Sequence, residues 1–222
     1  SEGMRLLPYA RSVCEEYRKL QMQVEELNGL QSGLIRIGTI SSIAAHWLPN
    51  VIAAFQKEYP NVAYELLLGH YADIEAWVNE GRVDVGFTRL PAQTDLEAVF
   101  LEQDKHPLAA CSRFPASALA DYPFMLLEKG EKADISEIFE RCGVTPNIHF
   151  TTVDDYAVMS MVEKGLGISI LPELILKRTP YHIVTKELDV PAYRRLGFVM
   201  KDKKHASLAA KRFLEYLDCR TL

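Results

Sequence analysis

Apolar residues recur along the first thirty positions in alternating steps of four and three: Leu6, Ala10, Val13, Tyr17, Leu20, Val24 and Leu27. This is the a/d seam of a heptad repeat, and it predicts one long helix. Glu15, Glu16, Arg18, Lys19, Glu25 and Glu26 fall on the opposite face, and Pro8 lies in the first turn, where a missing N–H costs little. So narrow a stripe on so long a helix needs a partner helix, in its own domain or in a second copy of the chain. Nothing else in the sequence repeats the seam, which favours self-association. Asn28-Gly29 and Ser32-Gly33 then break the helix and predict a short hinge.

After Gly33 the pattern changes to strands alternating with helices. Apolar, β-branched runs predict strands over Leu34 to Ile40, Val62 to Leu68, Val83 to Phe87, Pro107 to Cys111, Phe124 to Leu127, Ile148 to Thr151, Gly167 to Leu171 and Leu196 to Met200. Helical spacing covers Leu48 to Tyr59, Ala72 to Glu80, Ile135 to Cys142, Asp155 to Lys164, Pro172 to Lys177 and Ala206 to Leu217. This rhythm implies βαβ units and parallel sheet, hence an α/β fold. The strands are too many for one tidy sheet, and two lobes with a cleft between them fit better. Polar breaks at Glu102-Gln103-Asp104-Lys105 and over Lys186 to Pro191 are the expected crossovers. The expected division is a linker helix over 1–32, one lobe from 33–103 with 188–222, and a second lobe over 104–187.

Charge narrows the chemistry. Lys and Arg number 25 against 30 Asp and Glu, a net charge of −5, which argues against this segment gripping nucleic acid. Arg194-Arg195 and Lys201 to Lys204 read as a solvated loop or strand edge. No apolar run is long enough to span a bilayer, and no secretion signal opens the chain, so a cytoplasmic protein is expected. Cys14, Cys111, Cys142 and Cys219 are dispersed and read as reduced thiols, with a Cys111–Cys142 redox pair as the alternative. The six histidines lack ligand spacing, so neither a metal site nor a cofactor is expected. GxSxG, GxxxxGK[ST], GxGxxG and HExxH are all missing, and Asp154-Asp155 reads as a helix cap, not an acid–base pair. No enzyme is indicated.

Polar loop tips at the carboxyl ends of the strands remain, the place where open α/β sheets bind ligands. Ser41-Ser42 follow the first strand and open a helix, so they read either as an anion cradle or as an ordinary N-cap. His70-Tyr71 follow the second strand and Thr88-Arg89 the third. Arg89 suits an anionic ligand or a nearby Glu. The second lobe offers Glu128, then Thr151, Thr152 and Val153, then Gly167 in the turn Gly165-Leu166-Gly167. These eleven residues form the expected ligand site, and the hydroxyls with one guanidinium suit a small anion.

The run from Leu34 to Arg89 resembles the start of the LysR-type effector-binding domain. The matching features are Ile37-Gly38, Leu48-Pro49, Phe55, Tyr59-Pro60, Val62, Gly81 and Asp84. Val162 to Pro172 is similar to that family's "V..G.Gi.ilP" turn, His106-Pro107-Leu108 to its "HPL" element, and Glu2 to Ala10 to the opening of its linker helix. Glu97 to Pro115 departs from the pattern, being shorter than the family's two strands around the crossover. The resemblance implies two lobes of the type II periplasmic-binding-protein kind behind a linker helix. It implies a small-molecule effector between the lobes, a homodimer or homotetramer, and DNA contact only through a winged helix preceding this segment. A free-standing solute-binding protein for uptake is the alternative.

Overall fold

A computed structural model describes residues 2–27, 32–105, 114–127, 135–204 and 206–221. Residues 28–31 of the expected hinge and the strand expected over Pro107 to Cys111 lie outside the described residues, while Gly33, expected at the end of the hinge, already belongs to a strand. Helix α1, Glu2–Leu27, is continuous as the heptads predict. Its seam faces solvent in the single chain: Val13 is 69%, Leu20 62% and Leu27 86% exposed.

The larger lobe is built on a five-stranded sheet of β1 (Gly33–Thr39), β2 (Val62–Leu68), β3 (Val85–Leu90), β4 (Glu97–Lys105) and β7 (Tyr193–Met200), in the order β2-β1-β3-β7-β4. β1 pairs in parallel with β2 and β3, joined by α2 (Ser41–His46), α3 (Leu48–Gln56) and α4 (Tyr71–Asn79). β7 returns antiparallel between β3 and β4, so the sheet is mixed and not wholly parallel as expected. Strand β4 also adds to the sequence reading, which had Glu102 to Lys105 as the first crossover and no strand leading into it. These residues pair with β7, Asp104 opposite Arg194.

One face of this sheet carries α3 and α8 (Leu208–Glu215). Ile35, Ile37, Phe87, Leu196 and Phe198 pack there against Leu48, Val51, Phe55 and Phe213, all buried. The other face carries α4 through Ile74 and Val78. That helix lies so close that a β-carbon at Gly86 would sit 2.7 Å from Ile74 Cγ2 and 2.8 Å from Val78 Cγ2. Glycine is what permits the approach.

The smaller lobe has a parallel pair, β5 (Pro123–Leu127) and β6 (Asn147–Thr152), with a 3-10 turn at Ala116–Asp121 and helices α5 (Ser136–Cys142), α6 (Asp155–Glu163) and α7 (Glu173–Leu176). The strand expected over Gly167 to Leu171 reduces to a single bridge, Phe124 with Ile168. The returning chain at Leu188 bridges Phe114, and Asp189 accepts from Ala116 N–H at 2.8 Å. Among the described residues no helix is long and apolar enough to cross a membrane.

Candidate functional site

At the carboxyl end of β1 the chain turns directly into α2. Ser42, in the first turn, is 4% exposed, and its Oγ accepts from Arg194 Nη2 at 2.9 Å. At the end of β2, His70 caps α4, its own N–H bonded to Asp73 Oδ2 at 3.1 Å. Tyr71 begins that helix, and its hydroxyl accepts from Arg194 Nη1 at 2.8 Å. At the end of β3, the Arg89 guanidinium lies 5.6 Å from the centre of the Tyr71 ring. Its Nη1 is 3.5 Å from Glu137 Oε1 on α5, so it reaches the smaller lobe. Ser42 and Tyr71, two of the expected residues, therefore meet at Arg194, and a third, Arg89, packs on Tyr71.

Arg194 is a correction to the sequence reading. It is 5% exposed and no part of a solvated edge. Its Nε and Nη2 both donate to one carboxylate oxygen, Asp104 Oδ2, at 3.0 and 2.8 Å, a charge-assisted contact. Asp104 Oδ1 in turn accepts from Leu174 N–H in α7 at 3.0 Å.

The remaining expected residues have other surroundings. Ser41, beside Ser42, is half-buried. Thr88 is fully buried, with its hydroxyl 3.4 Å from Glu75 Oε1 beneath α4. Glu75 Oε2 accepts from Gln93 N–H at 2.9 Å and from the Thr94 hydroxyl at 3.2 Å. A cavity of about 310 Å3 beside these groups is lined by Ala72, Glu75, Ala76, Gln93 and Thr94 among others, and shares no wall with Ser42, Tyr71 or Arg89. Gly167 serves packing: a β-carbon there would collide with the Pro123 carbonyl oxygen, which accepts from Ile168 N–H at 2.9 Å. Thr151 and Val153 stand exposed at the end of β6, and the Thr152 hydroxyl accepts from Asp154 N–H at 3.3 Å. Glu128 lies outside the described residues, as do Cys111 of the redox pairing and His106-Pro107-Leu108 of the HPL element. Among the described residues no cluster of His, Cys, Asp or Glu could hold a metal ion.

His46, the last residue of α2, is held below the usual imidazole range by burial and by the positive charges of Arg178 and Lys177. It is therefore neutral near pH 7 and adds no cation to this end of the sheet.

A family model described as the LysR substrate binding domain matches residues 28–221. The chain belongs to that family. The LysR domain is 31% identical over 223 residues to the uncharacterized HTH-type transcriptional regulator YvbU of Bacillus subtilis, covering 96% of this chain and 76% of that one. Its fold superposes on the OxyR C206 mutant of Corynebacterium glutamicum with a TM-score of 0.74 at 23% identity, covering 100% of this chain and 73% of the other. The cofactor-binding domain of the Cbl transcriptional regulator gives 0.72 at 23% identity, covering 84% and 88%. The fold is the type II periplasmic-binding-protein kind. The LysR domain is an effector-sensing regulatory domain; its relatives are transcriptional regulators, not enzymes, and the alternative of a free-standing carrier is not favoured.

Proposed function

We propose that this LysR domain takes a small anionic effector between its lobes. The larger lobe contributes Ser41, Ser42, Tyr71 and Arg89, and the smaller contributes Thr151, Thr152 and Val153. His70, Thr88 and Gly167 shape the loops from behind, as cap, buried prop and packing glycine. The observation that carries this reading is the convergence of Ser42, Tyr71 and Arg89 at adjoining strand tips, with Arg89 reaching α5 of the other lobe. Strand tips of this kind are where parallel sheets bind ligands. The division between the lobes falls where β4 ends and β7 begins, so that Asp104 goes with the larger lobe and Leu188 with the smaller.

The exposed seam of α1 pairs with a second copy, giving a homodimer or a tetramer built from it. DNA contact belongs to a winged helix-turn-helix preceding this segment, in a cytoplasmic regulator. The net charge of −5 leaves this segment itself a poor ligand for phosphate.

The test is a thermal-shift screen of small carboxylates, amino acids and aromatic acids, followed by calorimetry on whichever stabilises the protein. Arg89→Ala should weaken binding about tenfold or more, the value of one charge-assisted contact. Ser42→Leu should abolish it while the fold persists. A compound that binds both variants as tightly as the parent overturns the assignment.

A further inference from the structure

Asp104 and Arg194 are register partners at the ends of β4 and β7, where the chain leaves the larger lobe and where it returns. Their side chains are only 6% and 4% exposed. Desolvation makes such a pair a poor source of net stability, so its geometry asks for another use. A guanidinium only donates, and Arg194 distributes its donors among Asp104, Ser42 and Tyr71. Asp104 passes the connection to Leu174 in α7. That short helix belongs to both lobes: Leu174 is buried in the core of the larger, and the adjacent Ile175 packs with Met125, Val158 and Met159 of the smaller.

We propose that the Arg194–Asp104 pair is the coupling element of the sensor. Arg194 positions the Ser42 and Tyr71 hydroxyls, and movement of those hydroxyls passes through Asp104 to α7, resetting how the smaller lobe sits on the larger. The effector's part in this rests on the reading above. Arg194 is then a positioning residue and not the anion anchor, because Asp104 neutralises it at 2.8 Å in the interior; the proposed anchor is Arg89, whose contact with the exposed Glu137 is longer, at 3.5 Å. A physical connection of this kind needs measured coupling, and coupling between two ends of a bonded path is measurable without a ligand.

The experiment is hydrogen–deuterium exchange with mass spectrometry on the ligand-free chain, comparing the parent with Ser42→Ala, Tyr71→Phe, the double variant and Asp104→Asn. Both hydroxyl deletions leave the ion pair in place. The double variant should speed exchange over residues 172–176 about fivefold or more while exchange in α3 and α8 stays unchanged; Asp104→Asn, which leaves Arg194 unpaired in the interior, should speed exchange over 172–176 more than in α3 and α8. If the double variant does not fold, the two single variants carry the same comparison. Unchanged exchange over 172–176 overturns the proposal. So does a uniform increase that includes α3 and α8, because a purely structural role would give that. No small molecule is added, so a failure here leaves effector binding standing, and a failed carboxylate titration leaves the coupling standing.

Discussion

At the residue scale, alternation along a strand decides which expected site residues meet. Thr88 shares a face of β3 with Gly86, whose side packs on Ile74 and Val78 of α4, and there it finds Glu75. Arg89, one residue on, faces the other way and meets Tyr71. Both residues stand at a strand tip, and only the face each presents separates them. Arg194 was legible by the same period, lying in step with buried Leu196, Phe198 and Met200. Its neighbour Arg195 disguised it as part of a solvated edge, and its partner lies 90 residues earlier. Arg194→Ala would strand the Asp104 carboxylate in the interior, and the expected loss is about 3–5 kcal/mol by denaturant unfolding. Replacing both, as Asp104→Leu with Arg194→Met, should cost much less, because no buried charge is left alone. Equal losses would contradict this account. A single methyl at Gly167 should also destabilise the smaller lobe, because the Pro123 carbonyl occupies its space. A melting temperature for Gly167→Ala equal to the parent's would show that the turn can yield.

At the scale of elements, the helices and parallel strands were readable because each carries its own period. β2 matches its expected bounds, Val62–Leu68, and α1 follows its heptads. β4 was readable only in part, through the apolar run Ala98 to Leu101. Its final residues, Glu102-Gln103-Asp104-Lys105, are polar, and a strand whose inward charge is satisfied by a distant arginine shows no apolar alternation. The seam of α1 yields a prediction of its own. Val13→Asp with Leu20→Asp puts charge into two d positions, where apolar side chains are required. Light scattering at micromolar concentration should then report the monomer mass, with unfolding of the lobes unchanged. An assembly that survives both changes would mean that α1 is not the interface.

At the scale of the whole molecule, alkaline pH should loosen the aromatic core of the larger lobe. Burial pushes the Tyr64 phenol up to about 12, from an ordinary value near 10, where it packs with Phe55 and Phe213. A bond to Glu58 raises Tyr216 to about 12 as well. For groups raised on folding, the stabilisation is complete below the unfolded value and is lost as pH climbs toward the folded one. Unfolding free energy should therefore hold until about pH 10 and fall between 10 and 12. Phenolate absorbance from these two residues should appear late in the titration. A flat profile to pH 12 would show that neither phenol stays neutral because of the fold.

The order of the strands also governs how the protein comes off the ribosome. β7 lies between β3 and β4, yet it is made last of the five. Until residue 200 has emerged, β4 has no neighbour in the sheet and β3 has a bare edge. The smaller lobe is synthesised in that interval, so it can collapse on its own while the larger one waits, half assembled, for a single closing strand. Unpaired edges of this kind are the surfaces on which nascent chains aggregate. A chain released before β7 would expose two such edges at once.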